Sequence, residues 1–213
     1  MLRPRLLLNE PKKFPMLPEL LVTIEKMRSR PVADERKKAL QPLIGYLKNK
    51  VDQGQGIKLN FICTHNSRRS QFAQIWAQTA ADFFGIPATC SSGGVEVTAF
   101  NERAVAAILR SGFKVVDPGG PNPVYSVFHS GDGAPIQAFS KLFDDPVNRK
   151  GPFAAVMTCS DADEHCPYIP GAEIRIPLHY EDPKAFDGTP EETAGYDERS
   201  IQIGAEMFYV FDL

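Results

Sequence analysis

The stretch "NFICTHNSRRSQ", residues 60–71, closes an apolar run on Cys63 and follows it with hydroxyls and two consecutive arginines. Read outward, residues 57–62 ("IKLNFI") have the composition of a buried strand, and 67–85 ("SRRSQFAQIWAQTAADFFG") that of a helix. Phe72, Ile75, Trp76, Thr79 and Phe83 fall on one side of that helix, and Gly85 stops it. A strand, a short polar loop and a helix open a β-α-β unit. An inert cysteine prefers apolar neighbours, whereas the setting of Ser67, Arg68, Arg69 and Ser70 favours a thiolate.

The alternation continues along the chain. "PATCSS" (87–92), "FAAVMT" (153–158) and "EIRIPL" (173–178) read as strands. "NERAVAAILRSG" (101–112) reads as a helix with Asn101 as N-cap and Gly112 beyond its end. "TPEE" (189–192) fits a capping box that opens a last helix running towards Phe211. The pattern predicts an α/β fold: an open, four-stranded, mainly parallel sheet with helices on both faces. It is interrupted at about 117–150, where "PVYSVFH", "SGDGA" and "PIQAFS" read as an inserted β-hairpin.

Residues 1–52 read as an N-terminal helical extension, and 53–213 as the α/β domain. Leu17, Leu20, Leu21, Ile24 and Met27 recur at helical spacing, as do Leu40, Leu43, Ile44 and Leu47. Pro42 must kink or start the second of these helices. The extension holds no cysteine or histidine, so its expected role is packing or homo-oligomerisation.

Bulk composition excludes several classes. The chain has 213 residues, 23% of them charged, and a net charge of −2, which gives no reason to expect a nucleic-acid or anionic-membrane partner. A positive site must be local. No run approaches the ~20 apolar residues of a membrane span, and "MLRPRLLLNEPKKFP" is too weakly apolar for a leader. The expected location is the cytoplasm, where the four cysteines (63, 90, 159, 166) are a matter of chemistry and not a disulfide scaffold.

Placing Cys63 at the carboxyl end of a parallel strand and Ser70 in the first helical turn puts the intervening loop at the positive end of a helix. Open α/β sheets bind ligands at that edge. Arg69 adds a planar fork matched to a tetrahedral oxyanion. A phosphate-like dianion would sit in the loop, with Cys63 poised to attack it and Ser70 or Ser67 bonded to the sulfur. Cys-x5-Arg alone is weak evidence; the strand, the helix and the serine after Arg69 make it specific.

"CTHNSRRS" resembles the phosphate-binding loop of the low-molecular-weight protein tyrosine phosphatase fold. The resemblance implies Cys63 as nucleophile, Arg69 as oxyanion clamp, Asn66 as loop organiser and Ser70 as the thiolate's partner. Thr64, His65, Asn66, Ser67, Arg68 and Arg69 are then the oxyanion-binding residues. Two positions depart from that loop: His65 stands where it has glycine, and Arg68 where it often has a second cysteine. A left-handed backbone at His65 would be costly.

A second apolar strand ends on Cys159, and Cys166 follows seven positions later in "CSDADEHCP". Were 159–166 a regular helix, the two Cα atoms would lie about 10.5 Å apart. A disulfide needs roughly 4.4–6.8 Å, so the pair closes only if the segment is irregular or rearranges. Asp161, Asp163, Pro167 and Pro170 suggest a loop. Inert core cysteines suit this polar setting poorly, and a zinc site of Cys159, Cys166 and His165 lacks the usual tight knuckle and fourth ligand.

"CSDADEHCP" resembles the redox loop of thioredoxin-coupled arsenate reductases, which share the small phosphatase fold. The resemblance covers roughly 57–213 and implies a relay. Cys63 attacks arsenate, Cys159 attacks Cys63 as arsenite leaves, and Cys166 attacks Cys159. A thioredoxin-like protein then reduces the disulfide, with no resident cofactor or metal. It implies Asp182, before Pro183, as the general acid; Asp145, before Pro146, is the rival. Two other readings remain at this point. One is a phosphatase for phosphotyrosine or small phosphomonoesters that uses Cys63, Arg69 and Asp182 alone, and the other a non-catalytic arsenical or metal sensor. Cys90 reads as structural, Ser92 as support for the loop or a cation, and His129, His165 and His179 as loop or surface residues.

Overall fold

The computed structural model describes residues 15–148, 151–165 and 168–213. In chain order the first elements are α1 (Pro18–Arg28), α2 (Asp34–Asp52), β1 (Ile57–Cys63), α3 (Arg69–Phe84), β2 (Ala88–Gly94) and α4 (Glu102–Arg110). Three short strands follow, β3 (Lys114–Val116), β4 (Tyr125–Phe128) and β5 (Ile136–Ala138). The chain then forms β6 (Phe153–Met157), α5 (Ser160–His165), β7 (Ala172–Pro177), a 3-10 turn (Pro183–Phe186) and α6 (Glu192–Phe211).

The main sheet has the order β2-β1-β6-β7, with every pair parallel. The central strand β1 alternates its buried side chains between two faces. Ile57, Leu59 and Phe61 join the larger core with Ala154 and Val156, while Ile62 faces Ala155 and Met157 in a smaller one. Burial on both faces is why these strands read as near-continuous apolar runs. On the larger face Trp76 of α3 meets Phe113 and Phe208 edge-on, and its indole N–H donates to Ser200 Oγ at 3.0 Å. On the smaller face the cover is the short α5 with Phe143 and Ile169.

The predicted four-stranded α/β sheet is present, and three details differ from the sequence reading. The hairpin β4–β5 forms, but β3 pairs with β4 and makes the insert a three-stranded antiparallel sheet. The Thr189 hydroxyl donates back to Phe186 O, so α6 starts later than the capping box implied, and Glu192 reaches the Gly188 N–H instead. Helix α2 runs through Pro42, which lies on its exposed face, where the carbonyl deprived of its helical donor can be hydrated.

The N-terminal helices share the core of the sheet. Leu20, Ile24, Met27, Leu40, Leu43 and Leu47 are buried in one cluster with Phe61, Trp76 and Phe208. Close approach is possible at Gly204 of α6, where a Cβ would lie 2.5 Å from Met27 Sδ and 2.9 Å from the Trp76 ring. A polar clasp adds to this. Arg36 of α2 donates two bonds to Glu206 of α6, at 2.9 and 2.7 Å, and one to His179 O at 3.0 Å. Tyr180 O–H also donates to Glu206, at 2.8 Å.

Glu206 is 2% exposed, so removing its cation leaves a buried charge unpaired. Arg36→Ala is expected to lower the unfolding free energy by about 3 kcal/mol in a urea titration. Arg30→Ala, which breaks an exposed pair with Glu198, should cost less than about 1 kcal/mol. Equal losses would show that α2 is held by its apolar face alone.

Candidate active site

Cys63 ends β1 and is 3% exposed. Every carbonyl of the loop that follows it is turned to an outside donor. The Cys63 and Thr64 carbonyls accept from the Val95 N–H, and Thr64 also from the Glu96 N–H. The His65 carbonyl accepts the hydroxyls of Thr98 and Ser140, that of Asn66 the Gln71 amide at 2.9 Å, and that of Ser67 the Asn101 N–H at 3.0 Å. In a trans peptide the N–H of the next residue points opposite to the carbonyl. The N–H groups of residues 64–68 therefore face the inside of the loop, and α3 begins at its end. Inward N–H groups at the head of a helix are the geometry that suits an anion.

Asn66 is the pin of the loop. It is fully buried, with φ +48°, the one non-glycine residue at positive φ among the described residues. Asparagine tolerates that conformation better than most residues. His65 therefore takes the usual glycine position without left-handed strain, and its ring pairs with Glu96 at the surface. Asn66 Nδ2 donates to Ser70 Oγ at 2.8 Å, and Ser70 Oγ lies 3.0 Å from Cys63 Sγ. Because Asn66 supplies the serine with a donor, the serine's own proton is free to point at the sulfur, which stabilises a thiolate. Gly94 lies directly behind: a Cβ there would be 2.8 Å from Asn66 N and 2.9 Å from Thr64 O.

Arg69 and Asp182 meet. The guanidinium donates to Asp182 Oδ2 at 2.8 Å and to Tyr180 O at 3.1 Å, while Asp182 Oδ1 accepts the Lys184 N–H at the head of the 3-10 turn. Arg68 is held mainly by other partners: its Nε donates to Tyr196 Oη at 2.8 Å and lies 4.0 Å from Asp182 Oδ1, and its tip approaches Asp187 at 3.7 Å. Burial, together with donation to Asp187, pushes the Tyr196 phenol up to about 12, against the opposing effect of Arg68, so it stays protonated. Asp145, the other Asp-Pro candidate, accepts the Val147 N–H within its own turn.

Cys159 lies on the same sheet edge as Cys63. β1 and β6 pair in parallel with Ile62 opposite Met157, and the Thr158 N–H continues the ladder to Ile62 O. Both cysteines belong to the smaller apolar cluster, and Cys159 is 1% exposed. Thr64 joins the two segments: its hydroxyl donates to Asp161 Oδ2 at 2.6 Å and lies 3.5 Å from Cys159 Sγ. The sulfur also accepts the Ala162 N–H at 3.4 Å. The segment read as a loop is instead the six-residue helix α5, tied down by Asp163 to Arg175 and His179. Cys166 lies outside the described residues.

No protein-family model matches the chain. The arsenate reductase 2 of Staphylococcus saprophyticus is 32% identical to it over 123 residues, 58% of this chain and 76% of that protein. The chain belongs to the arsenate reductase family. The arsenate reductase of Bacillus subtilis is 27% identical over 139 residues, 65% of this chain and 83% of its own. Among solved structures, a low-molecular-weight phosphotyrosine phosphatase from Vibrio cholerae aligns over 73% of this chain and 94% of its own, with a TM-score of 0.48 and 13% identity.

Sequence reasoning missed several supports that this member of the arsenate reductase family places around its loop. Ser140 and Lys141 follow the inserted hairpin; one hydroxyl holds the His65 carbonyl, and the Lys141 N–H donates to Asn66 Oδ1 at 3.1 Å. Gln71 and Tyr196 carry nothing in the sequence to mark them. Ser92 donates to Gln74 Oε1 at 2.5 Å within the core. Cys90 is buried in β2, where burial pushes its thiol up, so it is inert. His129 is buried at 2% exposure and not a surface residue. Among the described residues no cluster of side chains could hold a metal ion. None of their helices is long and apolar enough to cross a membrane.

The role of Asn66 is separable into backbone and side chain. Asn66→Ala should cost about 3 kcal/mol, from left-handed strain plus buried partners left unpaired. Asn66→Gly should recover about 1 kcal/mol of that while still slowing iodoacetamide capture of Cys63. Equal stability of the two variants in urea would rule out the backbone part.

Proposed function

We propose that the chain reduces arsenate to arsenite by a thiol relay. The loop N–H groups and Arg69 hold the oxyanion, and the Cys63 thiolate attacks arsenic. Asp182 gives its proton to the departing oxygen, which leaves as water. Asp182 faces Arg69; an incoming dianion takes over that guanidinium, and the carboxyl is left beside the leaving oxygen.

Cys159 then attacks Cys63 Sγ. The S–S bond forms as the S–As bond breaks, the bonding pair passes to arsenic, and As(V) leaves as arsenite. The Thr64 hydroxyl already donates to Asp161, so at its contact with Cys159 the thiol is the donor. The proton of the second nucleophile thus points down a path to a carboxylate. Cys166 next attacks Cys159, releases the Cys63 thiolate and leaves a Cys159–Cys166 disulfide. A thioredoxin-like dithiol reduces it by exchange.

The observation that carries this reading is the placement of Cys159 in the same buried cluster and on the same sheet edge as Cys63. Hydrolysis of a phosphoester needs no second thiol there. The last transfer closes a disulfide of roughly 4.4–6.8 Å between Cα atoms, less than the rise of about 10.5 Å over seven residues of regular helix, so it is favoured by partial unwinding of α5. A helix of six residues is marginal on its own, which makes that change accessible.

A single turnover tests the proposal. Fully reduced protein mixed with arsenate and no reductant should lose two thiols and yield a Cys159–Cys166 bridge. Cys63→Ser should abolish the loss, and Asp182→Asn should slow it about a hundredfold. Hydrolysis of aryl phosphate with arsenate acting only as a competitor, and all thiols retained, would mean a phosphatase.

A further inference from the structure

The side chain of Lys141 has no part in the chemistry above. Its main chain anchors Asn66, yet the residue is 3% exposed. Its ammonium meets the Phe139 carbonyl at a long 3.4 Å and the Phe139 ring at 4.3 Å from the centroid, and it pairs with no carboxylate among the described residues. Burial pulls it down to about 8, with the more distant Asp145 charge opposing. At neutral pH it is a buried cation with no ion-pair partner among the described residues, a costly arrangement for a residue that could have been apolar.

The same side chain lines a cleft of about 860 Å³ between the edge strand β2 and the hairpin β4–β5. That volume is in the range of small-molecule sites. Val124, Ile136, Phe139 and Val147 give it apolar walls on the side of Lys141, while Asp82 and Gln78 line it beside His129, and no residue of the 63–69 loop contributes. His129, 2% exposed, also lines it. Its Nε2 is 2.9 Å from Asp82 Oδ2 but out of line for a hydrogen bond, and its Nδ1 has no partner. An inorganic anion would leave the apolar walls wet, and a neutral hydrocarbon would leave the cation unpaired.

We propose that this cleft binds a small organic acid, with its anionic group on Lys141 Nζ, its apolar body against Val124, Ile136 and Val147, and His129 as a second polar contact. The site is separate from the oxyanion loop, although Lys141 belongs to both through its main chain.

The test is a fluorescence titration of the full chain with anilinonaphthalene sulfonate, with saturating inorganic phosphate present to fill the oxyanion loop. One dye is expected per chain, displaced by octanoate and not by octanol. Lys141→Met should weaken it about tenfold or more, the loss of one charge-assisted contact, with circular dichroism unchanged. Val124→Glu, on the exposed rim, should weaken it as well without touching the interior. Equal dye affinity in both variants, displacement by octanol as readily as by octanoate, or loss of binding on adding phosphate would each overturn the proposal.

Discussion

The loop between β1 and α3 has the form of an anion cradle because the carbonyls of residues 63–67 are all turned away from it, onto donors drawn from several parts of the chain, with Cys63 and Thr64 sharing the Val95 N–H. A peptide cannot turn its carbonyl outward without turning the next N–H inward. The donors come from the end of β2, the start of α3, the N-cap of α4 and the return of the inserted hairpin. A positive cavity is thus built with little help from charged side chains, which is how a chain of net charge −2 can offer the oxyanion site proposed for it. Arg69 completes it, and Arg68 is taken up by Tyr196 and Asp187.

The two additions to the sheet converge on this site. The hairpin delivers Ser140 and Lys141 to the back of the loop. The N-terminal helices act from the other side, where Arg36 holds the His179 carbonyl and stacks over Tyr180, whose own carbonyl accepts from Arg69. The position of Asp182, two residues on, therefore depends on a helix about 150 residues earlier in the chain. Gly204 allows α1 to sit close enough to α6 for the same packing.

The order of strands and helices was legible because β1 and β6 are buried on both faces and the helices carry clear stops such as Gly85, with φ +70°. The loop at Cys63 was legible as a strand-to-helix turn because an apolar run ends on the cysteine and a helical pattern starts at the arginine and serine that follow. What the sequence did not disclose are contacts between distant segments. Ser140, Gln71 and Tyr196 look ordinary until the fold brings them to the loop. Helix α5 was missed because "SDADEH" is rich in residues that favour turns, and its helical form is fastened from outside by Arg175, His179 and Thr64. The positive φ was looked for at His65, whereas Asn66, which bears it at lower cost, is the next residue.

The parallel pairing of β1 with β6 brings Cys63 and Cys159 to one edge, and the whole relay rests on a bond forming between them. The most direct measurement uses Cys166→Ser, which cannot pass the disulfide on. The reduced variant is given arsenate alone, acid-quenched and digested. A peptide pair joined through Cys63 and Cys159, with one arsenite released per chain, is the predicted result. Recovery of both cysteines as free thiols, with arsenate unchanged, would contradict the account.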